Sequence, residues 1–237
     1  MAVYVYSVVA AGHPQRLDGV DGVGDPPAAL RTVRNGKLSA IVSDAPEGLR
    51  PKRRDLAAHQ TVQERLMADG TVLPLQFGFV TSDDDAVQAV LEERAELFTE
   101  RLQTLEGCAE YHLKAAQQEE ALLREILRES EEARRLNEEI RNGSHSPELP
   151  LALGELVAQE VEVRNDRRAA GVVDALRAFA REERLSQATG DDFVNVSFLV
   201  DRDDETRFLD AERRLAEGLG GGFDLRLRGP LPPYSFV

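Results

Sequence analysis

Four histidines and a single cysteine are the side chains best suited to chemistry. The histidines are His13, His59, His112 and His145, and no two have the spacing of a metal site. His59 falls in a helical pattern and could act as a base, but no serine, cysteine or aspartate motif accompanies it. Cys108 stands alone, which excludes an intrachain disulfide and a cysteine metal cluster. These residues predict no catalytic site, no metal site and no cofactor.

Two further segments resemble ligand loops without matching their spacing. Residues 18–25 hold three carboxylates that could bind a hard cation weakly, but they lack the spacing and closing glutamate of an EF-hand loop. A flexible acidic loop is the favoured interpretation. The glycine-rich run at residues 218–222 ends a predicted helix rather than opening one, which is typical of a helix C-cap and not of a dinucleotide fingerprint.

Composition limits the classes of partner. The chain has 237 residues, of which 42% are hydrophobic and 30% charged, as expected for a soluble globular protein of one large or two small domains. Its net charge of −14 disfavours nucleic acids and anionic membranes. No signal peptide is evident, and the longest apolar stretch, residues 2–11, is too short to span a bilayer. We expect a cytoplasmic protein that binds neither nucleic acid nor membrane.

The first half of the chain predicts one α+β unit. Its most informative segment is 72–80, where Pro74 forbids one ladder hydrogen bond, so this strand lies at an edge or starts after Pro74. The remaining predicted elements are a central strand at 3–9, a hairpin at 30–43 turning at Asn35-Gly36, a helix at 51–69, and a helix capped by Thr81 or Ser82 that runs to about Leu105.

The second half predicts another α+β unit that contains long helices. The pattern predicts strands at 108–114, 192–200 and 223–228 and helices at 117–141, 151–185 and 203–219, with a linker at 144–150. The predicted fold class is α+β, with an N-terminal α+β domain at residues 1–106. Residues 107–237 form a modified ferredoxin-like domain with an extended helical part and a proline-rich tail.

The final residues have a composition that favours order, which is unusual for a terminus. Pro230, Pro232 and Pro233 leave the backbone few states to lose on ordering, and Tyr234 and Phe236 supply apolar surface. Burying Phe236 alone would contribute about 2–3 kcal/mol. The pattern predicts a tail that docks, either on its own protein or on a partner.

Three motifs carry a family resemblance. They are the ending Gly-Pro-Leu-Pro-Pro-Tyr-Ser-Phe at 229–236, Val-Leu-Pro-Leu-Gln-Phe-Gly-Phe-Val at 72–80 and Val-Tyr-Val-Tyr-Ser-Val-Val at 3–9. In their order along the chain, these motifs resemble the gas vesicle protein L/F family (GvpL/GvpF) over nearly the whole length. The resemblance implies two α+β domains and a minor, non-enzymatic gas vesicle protein required for assembly. It further implies contact with the principal shell subunit, GvpA, and with other gas vesicle accessory proteins.

An unpaired strand edge and an ordered tail could together bind a shell subunit. Strand addition at the edge would cover the apolar surface of a free subunit and prevent its aggregation, or nucleate the wall. The predicted partner-binding residues are Pro74, Leu75, Phe77 and Phe79 at the edge and Pro230, Pro232, Pro233, Tyr234 and Phe236 in the tail.

Two other interpretations remain open at this point. One is a ligand-binding or enzymatic α+β protein, which a ligand in a polar pocket around His59 or His112 would favour. The other is a helical adaptor that uses residues 117–185, which binding by that segment alone would favour.

Overall fold

The computed structural model describes residues 1–143 and 146–237; Ser144 and His145, which belong to the predicted linker and to the histidines considered above, lie outside the described residues. The strands are β1 (Val3–Ala10), β2 (Arg31–Asn35), β3 (Leu38–Asp44), β4 (Leu73–Pro74), β5 (Val80–Thr81), β6 (Cys108–Gln117), β7 (Glu182–Leu185), β8 (Asp192–Asp201) and β9 (Phe223–Leu231). The α-helices are α1 (Arg53–Asp69), α2 (Asp84–Glu93), α3 (Ala95–Thr104), α4 (Glu119–Glu129), α5 (Glu131–Arg141), α6 (Glu148–Arg177) and α7 (Glu205–Leu219). Short 3₁₀ helices span Arg202–Asp204 and Tyr234–Phe236.

The chain divides into two compact units. The first unit comprises Met1–Tyr111, Leu199–Arg202 and Gly229–Val237, and the second comprises His112–Phe198 and Asp203–Arg228. Helices and two separate sheets occur together, which confirms the predicted α+β class. The domain boundary at residues 106 and 107 stays a prediction.

The first unit is built around β1. Its sheet has the order β2-β3-β1-β4, and β5 also pairs with β1, so the prediction of a central first strand is confirmed. The hairpin is confirmed as well, but Asn35 pairs with Leu38, so Gly36 and Lys37 form the turn. Gly36 has the positive φ of +56° that this turn requires of its first residue.

A bulge in β1 changes which side chains share a face. Val5 pairs with Val42 and Ser7 with Ile41, so Tyr6 is the extra residue on β1. Tyr4, Tyr6 and Ser7 therefore lie on one face, where the two tyrosine rings contact His59 of α1. The valines at positions 3, 5 and 8 lie on the other face and pack with α2 and α3 in a cluster that also contains Leu91, Leu102 and Phe236. We call these the polar face and the apolar face of β1.

Helices α2 and α3 replace the single helix that the sequence predicted. The helix breaks at Arg94, which ends α2 and caps the start of α3. The predicted cap at Thr81 or Ser82 is wrong, because the Asp83 carboxylate accepts the hydrogen bond from the Ala86 amide at 2.8 Å. Asp84 and Asp85 follow in the first turn, where the helix dipole favours negative charge.

The second unit has the element order of a ferredoxin-like unit, with α4, α5 and α6 between its first two strands. The sheet order is β7-β8-β6-β9. The predicted helix at 117–141 is two helices, because Ser130 ends α4 and its hydroxyl caps α5 by accepting from the Ala133 amide. Strand β7 lies where the sequence predicted helix. Ile126 and Ala133 are buried against Leu153, Leu156 and Val157 of α6.

Across the described residues, no helix combines the length and the apolar character needed to cross a membrane.

Candidate functional site

The segment at residues 72–80 is not the single strand that the sequence predicted. It forms β4 and β5, each two residues long, and both pair with β1 in antiparallel register. Pro74 has no amide hydrogen to extend the ladder, and Gly78 turns the chain with φ of +96°. The Leu75 amide donates to the Tyr6 carbonyl at 2.9 Å, and the Val5 amide donates to the Phe79 carbonyl at 3.0 Å, on either side of the interruption.

The side chains of this segment point in different directions. Pro74 is buried and Leu75 is half-buried against the apolar cluster. The Phe77 ring lies 5.8 Å from the rings of Tyr4 and His59, on the polar face of β1. Phe79 is 48% exposed. Of the predicted binding side chains in this segment, Phe79 is therefore the one that offers the most free apolar surface.

The predicted tail docks on its own unit. Pro232, Pro233 and Phe236 are buried, Tyr234 is half-buried, and Pro230 is exposed. Phe236 is only 4% exposed and belongs to the apolar cluster. The Ser235 amide and hydroxyl donate to the Glu110 carboxylate at 2.8 and 2.7 Å.

A close backbone approach fixes the start of the tail. A Cβ on Gly229 would lie 2.4 Å from the Tyr111 ring, so only glycine fits there.

His59 links the polar face of β1 to the tail. The Gly78 amide donates to the Tyr4 hydroxyl at 3.2 Å, and that hydroxyl lies 2.8 Å from His59 Nδ1. Tyr4 can then donate to Nδ1, which leaves Nε2–H to donate to the Tyr234 oxygen 3.2 Å away. With both ring nitrogens engaged by tyrosines, His59 acts as a clasp for the tail.

The electrostatics of this clasp favour its neutral form. Burial lowers the pKa of His59, because the charged imidazolium loses hydration. Burial also raises the pKa of Tyr4, and it raises the pKa of Tyr234 to about 12, with the charge of Glu110 adding to the second shift. All three groups are therefore neutral near pH 7.

An open groove of about 530 Å³ lies on the apolar side of the first unit. It is lined by Val5, Val8 and Ala40 of the sheet, by residues 73–75 and 79–81, by α2 and α3, and by Val237. Among the described residues, ten large apolar side chains are exposed, and half of them line this groove. These five are Phe79, Val80, Val90, Leu97 and Val237. Exposed apolar surface concentrated in one concavity is typical of a partner-binding site.

The groove is lined by three of the four predicted edge residues and by none of the predicted tail residues. Pro74, Leu75 and Phe79 line it directly, and Val237 follows the tail residue Phe236 into it. The other predicted residues do not line it: Phe77, Pro230, Pro232, Pro233, Tyr234 and Phe236. Val90 and Leu97 were not predicted; their signal in the sequence is an apolar side chain on the outer side of an amphipathic helix.

The other candidate residues take structural positions. The His112 ring lies 2.6 Å from Asn195 Oδ1, and His13 lies 3.0 Å from the Leu66 carbonyl oxygen. Cys108 is buried, with its sulfur 3.6 Å from the Asp201 carboxylate. Residues 18–25 have no helix or strand. No group of three or more potential metal ligands occurs within the described parts of the chain, 1–143 and 146–237.

Comparison with known proteins places these features in a family. Residues 2–237 match the family described as gas vesicle synthesis protein GvpL/GvpF. Gas vesicle protein F of Streptomyces sp. (strain CB03234) is 45% identical over 238 residues, covering 100% of both chains. Gas vesicle protein L of the same organism is 28% identical over 254 residues, covering 99% of this chain and 92% of that protein.

The fold has a counterpart in a solved structure. The crystal structure of the gas vesicle protein GvpF from Anabaena sp. PCC7120 matches with a TM-score of 0.81 and 20% identity, covering 99% of this chain and 97% of that one. The family match over residues 2–237 and the 45% identity confirm the family that the sequence motifs resemble. The chain therefore belongs to the GvpL/GvpF family of gas vesicle synthesis proteins.

Proposed function

We propose that this protein acts in gas vesicle assembly, without catalysis, by binding the principal shell subunit GvpA in the groove of the first unit. The observation that carries the proposal is the convergence of Phe79, Val80, Val90, Leu97 and Val237 on one open concavity. A shell subunit exposes apolar surface before it joins the wall, and this groove offers apolar surface to cover it. Covering that surface prevents aggregation or delivers the subunit to the growing wall.

The charge of the chain suits this role. A net charge of −14 keeps the protein soluble while it carries an apolar partner. The apolar groove provides the attraction, because each half-exposed leucine or phenylalanine buried on binding contributes about 1 kcal/mol. Solubility and binding would then depend on different surfaces of the protein.

The tail packs against residues that line the groove. Phe236 packs in the apolar cluster beside Val5, Val8 and Leu73, which also line the groove. Tyr234 holds the same tail through His59. We therefore propose that Pro232, Pro233, Tyr234 and Phe236 contribute to binding by shaping the groove, whereas Pro74, Leu75 and Phe79 contact the subunit.

A matched pair of leucines tests the proposal. Leu97 on α3 is 47% exposed and lines the groove, whereas Leu56 on α1 is 42% exposed and does not. GvpA co-expressed with each variant and captured through an affinity tag on GvpA should retain Leu56→Asp at the wild-type level. Leu97→Asp should lose at least about tenfold in capture, because a carboxylate would be desolvated against apolar surface.

Circular dichroism and thermal unfolding must show that both variants are folded. Equal capture of the two variants would refute the groove as the binding site, and retention by residues 117–185 alone would favour the helical adaptor instead. Phe77→Asp is a poor substitute for Leu97→Asp, because Phe77 packs against Tyr4 and His59. A loss of binding in that variant would report damage to the polar face.

A further inference from the structure

Among the described residues that line the groove, the charged side chains are two arginines. Arg94 is exposed at the junction of α2 and α3, and Arg101 is half-buried on α3. No aspartate or glutamate of the described ranges 1–143 and 146–237 lines the groove, although the chain has 43 acidic residues against 29 basic ones. Neither arginine forms an ion pair with any described residue. The groove therefore combines an apolar lining with two guanidinium groups that are free to bind a partner.

The spacing of the arginines defines what they can bind. They are seven residues apart on nearly continuous helix, which places them about 10 Å apart along the axis. Carboxylates two turns apart on a neighbouring helix share one face and have the same spacing. Each ion pair would form beside apolar surface, where water screens it less than on an open surface.

The strand edge beside the groove is a poor template for strand addition. β4 and β5 are each two residues long, and the chain between them leaves the ladder. An added strand needs a row of unpaired backbone groups in register. An amphipathic helix needs only an apolar groove with polar groups at its rim, which this surface offers.

We infer that the groove binds an amphipathic helix whose apolar face is flanked by carboxylates two turns apart, paired with Arg94 and Arg101. The inference rests on the proposed function, because it names the part of the shell subunit that is recognised. The apolar lining would attract the helix, and the arginines would set its orientation. A helix flanked by lysines would be repelled.

A model peptide isolates the chemistry of the groove. The probe is a fluorescent, end-capped amphipathic helix of about 15 residues with leucines on one face and two glutamates two turns apart; its control carries lysines at the same positions. Fluorescence anisotropy with the full-length protein should show the glutamate peptide binding at least about tenfold tighter than the lysine peptide. Arg94→Glu/Arg101→Glu should reverse that preference. Equal affinities for the two peptides, or no binding of either, would overturn the inference.

A control variant separates local from net charge. Arg53→Glu/Arg65→Glu makes the same change in net charge at two exposed positions on α1 that do not line the groove. It should keep the wild-type preference for the glutamate peptide. Loss of the preference in this variant would attribute the effect to overall charge and overturn the inference.

Capture of GvpA separates failure of the inference from failure of the proposed function. If Leu97→Asp loses capture while Arg94→Glu/Arg101→Glu keeps it, the proposed function stands and the inference fails. If neither variant loses capture, the groove is not the GvpA site and the proposed function fails. Loss in both variants, together with the peptide preference, supports both.

Discussion

The two faces of β1 are covered in different ways. On the polar face, Tyr4, Tyr6 and Ser7 meet α1, and their hydroxyls form hydrogen bonds with His59, Ser43 and Gln63. On the apolar face, the valines pack with α2 and α3, and the neighbouring groove stays open. The polar face is closed by directional bonds that leave little freedom. The apolar face keeps surface that a partner can cover, which is where we place binding.

The tail contacts both faces, so it provides the strongest test of the comparison. Phe236→Ala removes a ring that is 4% exposed within the apolar cluster, and we expect the free energy of unfolding to fall by about 3–4 kcal/mol. Urea unfolding monitored by circular dichroism measures this loss. A loss below about 1 kcal/mol would show that the tail is not part of the folded core.

Breaking the clasp on the polar face should cost less stability than Phe236→Ala. Tyr234→Phe keeps the ring but removes the hydroxyl bonded to His59, so the buried imidazole loses one of its hydrogen bonds. We expect a loss of about 1–2 kcal/mol in the same urea experiment. Ser235→Ala, which removes an exposed hydroxyl bonded to Glu110, is the control and should lose less. If the free energy of unfolding of Tyr234→Phe equals that of the wild type, the clasp does not stabilise the tail.

Two histidines, His59 at the polar face and His13 beside the Leu66 carbonyl of α1, should make stability depend on pH. Burial lowers the pKa of both His59 and His13 in the folded protein, so the unfolded chain binds protons more readily. Stability is therefore full above the unfolded pKa of about 6.5 and falls as the pH drops below it. Urea unfolding at a series of pH values from about 7.5 to 5.5 measures the slope. His59→Gln should show a shallower slope, and a slope equal to that of the wild type would contradict the role given to His59.

The apolar groove should show the smallest effect on stability. Leu97→Asp replaces a side chain that is 47% exposed, so we expect the free energy of unfolding to fall by about 1 kcal/mol at most. The same variant should lose capture of GvpA, whereas the main effect of Tyr234→Phe should be a loss of stability. Thermal unfolding of the two variants side by side checks this. A large loss of stability in Leu97→Asp would mean that the groove is part of the core.

Much of the fold could be predicted because local patterns determine it. Alternation predicted β1, the Asn35-Gly36 dipeptide predicted the hairpin, and the apolar periodicity predicted α1. The breaks at Arg94 and Ser130 were missed, because apolar periodicity continues across both and hides the second helix start. Ser130 did carry a usable signal, since serine before two glutamates is a good N-cap.

The site was less predictable because it depends on distant residues. The bulge at Tyr6 moves Val8 to the apolar face and Ser7 to the polar face, which strict alternation along β1 assigns the other way round. Pairing of His59 with Tyr234 joins residues 175 positions apart, and no local pattern encodes it. The sequence therefore identified Phe79 and the tail as candidates, but it could not show that Phe79 is exposed while Phe236 is buried.

The position of Phe236 in the cluster that contains Val3 also affects how the protein folds. The contact closes a loop of roughly 230 residues, whereas the β1–β3 pairing of Val3 with Asp44 closes one of roughly 40. The longer loop adds about 1.5 kcal/mol of closure entropy. We therefore expect the sheet to form before Phe236 docks, giving an early state whose apolar cluster is uncovered. Refolding yield should then fall as protein concentration rises, because another chain can contact the cluster before the tail does.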